Sequence, residues 1–212
     1  MARFEWDKAL HERKRELASL AADVRARDLA AACRNAGLLA GCSEVDVERF
    51  VLQSIEKRGY IEPYRLLEQL HRVLSFDIEG DFYEPGSYAR TLTALFRITA
   101  DEVIPSSLTD DVNDRERRLS VSFEWSGHPF SVTIRPQEPT DGFDERIVGH
   151  INRFLATHRV TKQFLQVLPA ETDQILHWIF LDPGYMHDLQ AKNLLIFDGH
   201  VPYTERALQF LW

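Results

Sequence analysis

Residues 118–136 read RLSVSFEWSGHPFSVTIRP, and their alternation decides the fold class. Leu119, Val121, Phe123 and Trp125 alternate with Ser120, Ser122, Glu124 and Ser126. A turn is expected over Ser126, Gly127, His128 and Pro129, after which Phe130, Val132 and Ile134 alternate with Ser131, Thr133 and Arg135. A period of two sends successive side chains to opposite faces of a strand, so the stretch reads as a β-hairpin with one apolar face and one small, polar face. The apolar side should enter a core. The Ser- and Thr-rich side should meet solvent or a partner.

Downstream, Ile147, Val148, Ile151, Phe154 and Leu155 recur at i, i+1, i+4, i+7 and i+8, the stripe of an amphipathic helix, with Asp141 or Asp144 as its cap. KQFLQVL and QILHWIFL read as two further strands joined by the short polar segment PAETD. Asp182 and Pro183 form an N-cap and first-turn proline, predicting a helix to about Leu194. The second half therefore reads ββαββα, with helices on one face of a small antiparallel sheet.

Upstream the chain reads as helical. ELASLAADVRARDLAAACRNAG is rich in strong helix formers, with Leu17, Leu20, Ala21, Val24 and Leu29 as its stripe and Asn35 and Gly37 as stop signals. Ser43 and Asp46 have capping-box spacing ahead of Val47, Phe50, Val51 and Ile55, and Gly59 follows that helix. Pro63 opens a third helix expected to carry Leu66, Leu67, Leu70, Val73 and Leu74 inward. Pro85 or Ser87 opens a fourth, with Tyr88, Leu92, Leu95 and Phe96. Residues 101–117 show little periodicity and read as a connector. The expected fold class is α+β: a helical N-terminal half (1–100) followed by the α+β half (101–212), as two domains or one continuous core. Phe210, Leu211 and Trp212 are expected to dock on that core.

Composition limits the function classes. The chain has 212 residues, 44% hydrophobic and 27% charged, enough to bury a sizeable core. No apolar run approaches the roughly 18–20 residues that cross a bilayer, so no membrane partner is expected. The first 20 residues are too charged for a secretory signal. With only Cys33 and Cys42, a reducing cytoplasm is the expected location. The net charge is −8 and uneven: residues 76–118 carry 5 Lys/Arg against 10 Asp/Glu. Such a field repels nucleic acid and attracts basic partners.

No residue pattern names a reaction. The eight histidines include no H-x-x-x-H or H-E-x-x-H pair, and the two cysteines have no second pair, so neither a metal nor another cofactor is expected. There is no nucleophile elbow, phosphate loop or dinucleotide fingerprint. Cys33 reads as a small core residue, and His177 as an outer-face or satisfied core histidine.

The segments LSVSFEWSGHPFSVTIRP, DGFDERIVGHINRFL and KQFLQVLPAETDQILHWIFLDPGYMHDLQ together resemble bacterial immunity-type proteins associated with polymorphic toxins. The resemblance covers roughly residues 92–190. It implies a cytoplasmic protein that binds and blocks a cognate toxin without catalysis. A basic toxin would suit the acidic middle of this chain. The candidate partner-binding residues are Asp77, Glu79, Asp81 and Glu84, with Phe82 and Tyr83 as aromatic anchors among them, and then Asp110, Asp111 and Asp114. The competing expectations are an enzyme with an unfamiliar site near Asp141 and His177, and an adaptor that dimerises through its helical part.

Overall fold

A computed structural model describes residues 22–58, 63–77, 82, 84–113, 115–116, 118–135, 143–167, 175–192, 194–195 and 197. Its elements run α1 (Ala22–Asn35), α2 (Glu44–Arg58), α3 (Pro63–Gln69), β1 (Val73–Asp77), α4 (Ser87–Arg97), β2 (Ser106–Asn113) and β3 (Arg118–Trp125). There follow β4 (His128–Ile134), α5 (Arg146–Thr157), β5 (Gln163–Val167), β6 (Ile175–Leu181), a 3-10 turn (Pro183–Tyr185) and α6 (Met186–Ala191). The strands form two three-stranded antiparallel sheets, ordered β1-β6-β5 and β2-β3-β4.

The sequence of β6, ILHWIFL, is apolar at almost every position because both of its faces are covered. Ile179 and Leu181 point with Val73, Leu165 and Val167 into a core that includes Leu29, Cys33, Val47, Val51, Leu66, Leu67 and Leu189 of the surrounding helices. Leu176, Trp178 and Phe180 point the other way with Phe164. They join Leu92, Leu95 and Phe96 of α4, Ile147, Ile151 and Leu155 of α5, and Leu119, Val121, Phe123 and Phe130 of the second sheet. The β1-β6-β5 sheet is thus a wall between two cores. His177 is buried within it, and its Nδ1 lies 2.7 Å from the Ser75 hydroxyl across the strand pair, so it is a satisfied core histidine.

The hairpin forms as its alternation predicts. Leu119 pairs with Ile134, Val121 with Val132 and Phe123 with Phe130. The turn is tighter than expected, two residues rather than four. Ser126 (φ 52) and Gly127 (φ 79) are both left-handed, the requirement of a hairpin turn that matches strand twist, and His128 and Pro129 already belong to β4. The inner face of this sheet is buried against α4 and α5, and its outer face is open.

The capping-box reading of α2 holds. The Asp46 backbone N–H donates to Ser43 Oγ at 3.0 Å, and that hydroxyl donates to the Asp46 carboxylate at 2.8 Å. The helix start at Asp182–Pro183 also holds: the Asp182 carboxylate accepts from Gly184 N at 2.9 Å. The helix begins there as a 3-10 turn and stops at Ala191, three residues short of expectation.

Three expectations are corrected. Val73 and Leu74 do not extend α3; they begin β1, which pairs with β6. Residues 101–117 are not a plain connector, because Ser106–Asn113 forms β2 along β3. The strands do not make a single sheet with helices on one face. There are two sheets, and strands from both sides of residue 100 build the first. The α+β class stands. Leu17, Leu20, Asp141 and the terminal Phe210, Leu211 and Trp212 lie outside the described residues, and no described helix is long and apolar enough to cross a membrane.

Candidate functional site

The open face of the β2-β3-β4 sheet is built from short hydroxyl side chains in register. Thr109 Oγ1 and Ser122 Oγ are 2.9 Å apart, as are Ser120 Oγ and Thr133 Oγ1, and Ser106 Oγ donates to the Glu124 carbonyl at 3.3 Å. These cross-strand bonds order short side chains that lose little entropy when covered. Asp111 stands on the same face opposite Ser120, with its side chain 65% exposed, and accepts from the Arg118 guanidinium at 3.0 Å. Glu116 reaches to 3.7 Å of Arg118 Nε, and Glu124 is exposed. Two carboxylates thus flank the Arg118 guanidinium at one end of the sheet, and Glu124 stands without an ion pair among the described residues at the other end of β3.

The acidic residues singled out by sequence do not share one surface. Asp110 and Asp111 are neighbours on a strand and therefore face opposite ways. Asp110 turns inward, where its carboxylate accepts from the backbone N–H groups of Gly86 at 2.7 Å and Ala89 at 3.0 Å. α4 has no side-chain cap of its own, so a residue of β2 caps it and places negative charge at its N-terminus. Glu84 lies just before α4, exposed and 3.8 Å from Arg90. Asp77 ends β1 opposite Ile175. Phe82 is 7% exposed and sits in an aromatic cluster with Phe76, Tyr88 and Phe143, at centroid distances of 6.2, 5.6 and 5.4 Å. It is a core residue, where an exposed anchor was expected. Glu79, Asp81, Tyr83 and Asp114 lie outside the described residues.

Elsewhere the ionisable groups are engaged in structural work. Asp144 is buried and takes the Arg146 guanidinium at 2.6 to 3.2 Å along with the Arg146 backbone N–H at 3.1 Å, while its own N–H donates to the Tyr88 hydroxyl at 2.8 Å. Hydrogen bonding to Asp144 raises the Arg146 pKa further above its ordinary value. Burial pushes the Cys33 thiol up to about 12, as befits a core residue. Burial, reinforced by the Arg153 and Arg146 charges, lowers the His150 pKa. His128 and His158 stack at 4.0 Å beside Trp125 and Phe154, a pairing with no sequence-local signature. Among the described residues no group of three His, Cys, Asp or Glu side chains is placed to hold a metal ion.

The hydroxyl face was visible in the sequence as the Ser/Thr half of the alternation. Glu124 belongs to that half as well, and Asp111 joined the face through the β2–β3 register, which the alternation alone does not supply.

Comparison with known proteins adds one distant relative. No family model matches the chain, and no solved structure matches it. A probable inactive serine/threonine-protein kinase lvsG of Dictyostelium discoideum is 28% identical over 132 residues, 60% of this chain. The matched region is 5% of that protein's length, so the chain is similar to a small piece of a much larger molecule.

Proposed function

We propose that this chain is a non-catalytic binding protein, and specifically a cytoplasmic immunity protein that neutralises a cognate bacterial toxin by surface complementarity. The observation that supports this reading is the outer face of the β2-β3-β4 sheet. It is exposed, and it sets Asp111 and Glu124 beside ordered hydroxyl ladders. Short hydroxyls give a partner hydrogen bonds at small entropic cost, and the carboxylates steer a basic partner.

The test is affinity capture by the tagged chain from lysate of its source cells at low and high salt, followed by mass spectrometry and repeated with Asp111→Asn/Glu124→Gln. The expected result is one toxin-like protein held stoichiometrically at low salt, lost at high salt, and captured poorly by the double variant. Capture of nothing, or capture indifferent to both salt and variant, defeats the reading.

One observation favours the adaptor reading in second place. On α2, Val45 is 74% exposed and Leu52 46%, seven residues apart on the same helix face. Light scattering would then report a dimer that Leu52→Glu returns to monomer; a monomeric parent protein removes the idea.

A further inference from the structure

A cavity of about 210 Å³ lies between α5 and the edge strand β5, and Gly149, Val148, Phe164, Leu165, Gln166 and Trp178 form much of its wall. Two buried polar side chains among these have unmet hydrogen-bonding capacity. Gln166 is 5% exposed and Trp178 3% exposed, and neither Gln166 Oε1 nor Trp178 Nε1 has a hydrogen-bond partner among the described residues. Buried polar atoms are nearly always paired, so two orphans in one wall call for an explanation. The two residues are direct partners in the β5–β6 register, which sets their side chains next to each other on one face of the sheet.

The cavity is held open by local chemistry. Asn152 of α5 clamps the helix to the strand edge: its Nδ2 donates to the Phe164 carbonyl at 2.9 Å and its Oδ1 accepts from the Phe164 N–H at 2.8 Å. Gly149 supplies room, because a Cβ built there meets nothing within 4 Å. Arg146 at the rim is already committed to Asp144 and to the Arg135 carbonyl at 2.8 Å, so the rim offers no uncommitted cation for an anionic ligand.

We propose that this cavity is a binding site for a small, uncharged single-ring lactam or cyclic imide. The carbonyl of such a ring accepts from the Trp178 indole N–H, and its adjacent ring N–H donates to Gln166 Oε1. Its flat apolar body packs against Val148 and Phe164. The size agrees, since a cavity of about 150 Å³ holds one benzene ring.

The test follows the Trp178 indole ¹H–¹⁵N resonance, assigned with Trp178→Phe, while 2-pyridone is titrated into the full chain. Saturable movement of that resonance is expected, with N-methyl-2-pyridone binding about tenfold or more weakly because it leaves Gln166 unpaired. Gln166→Leu should fold and lose the discrimination between the two probes. Gly149→Leu should fill the cavity and abolish the shift, and Gly149→Ala, which the space accommodates, serves if the larger variant fails to fold. A resonance unmoved at the solubility limit of 2-pyridone overturns the proposal. So does equal binding of both probes, which would mean an apolar void without donor–acceptor recognition.

Discussion

At the scale of single residues, three helices leave by the same backbone route with different residues in the demanding position. Leu38 N donates to Cys33 O at 2.9 Å around Gly37 (φ 73), Arg72 N to Leu67 O at 2.7 Å around His71 (φ 54), and Val160 N to Leu155 O at 3.0 Å around Arg159 (φ 67). Each is the six-to-one bond of a helix end whose last residue is left-handed, a conformation that suits glycine. Arg159→Gly should therefore stabilise the protein by about 0.5–1 kcal/mol, read as a raised Tm; an unchanged or lowered Tm would refute the strain argument. The same residues explain what the sequence hid. Gly37 announces its helix end and was legible; His71 carries no such signal, so Val73 and Leu74 read as more helix. His150 supplies a pH effect. Its folded-state pKa is below the ordinary 6.5, so the unfolded chain binds the proton more tightly. Stability is full above pH 6.5 and falls as pH drops through that value. Thermal melts between pH 7.5 and 5.5, on a scale set by that pKa, should show a shallower loss for His150→Gln than for the parent protein.

At the scale of elements, β2 was the hardest to see and does the most varied work. Its sequence, SSLTDDVN, offers no clean apolar face, since its inward row includes Asp110. A buried-side carboxylate breaks the alternation that identifies a strand, and the residue that hid the strand is the one that caps α4. Asp110→Ala should cost about 1–2 kcal/mol, leaving two helix N–H groups without a partner. Asp111→Ala, one residue away on the open face, should cost less than about 1 kcal/mol, because its pair with Arg118 is solvated. Urea denaturation of the two variants decides between them; equal costs would mean that Asp110 is not a cap. The β3–β4 hairpin was legible because every inward residue is apolar and every outward one small or polar, and α5 because its stripe is complete. Asp110 was misplaced on the acidic candidate surface for the same reason that β2 was missed: composition records that residues 76–118 are acidic, and only strand register says which acids turn in.

At the scale of the whole molecule, the β1-β6-β5 wall makes the two cores mutually dependent. Ile179 and Phe180 are adjacent and buried on opposite faces of β6. Ile179→Ala should cost about 2–5 kcal/mol and Phe180→Ala about 3–5 kcal/mol, and each should lower one shared unfolding transition followed by far-ultraviolet circular dichroism and by tryptophan fluorescence. Two transitions, only one of them moved by each variant, would show that the cores melt independently. Local patterns could supply the strands of this wall but not their pairing, because Val73 meets Ile179 and Asp77 meets Ile175 across about half of the chain. That separation reaches beyond equilibrium. During synthesis β1 emerges about 100 residues before β6, which at about 5–20 residues per second is on the order of 5–20 s. Through that interval Val73 and the apolar faces of α1, α2 and α3 have no wall to close against, so the ribosome-bound chain presents a sticky half-core and is a natural client for a chaperone.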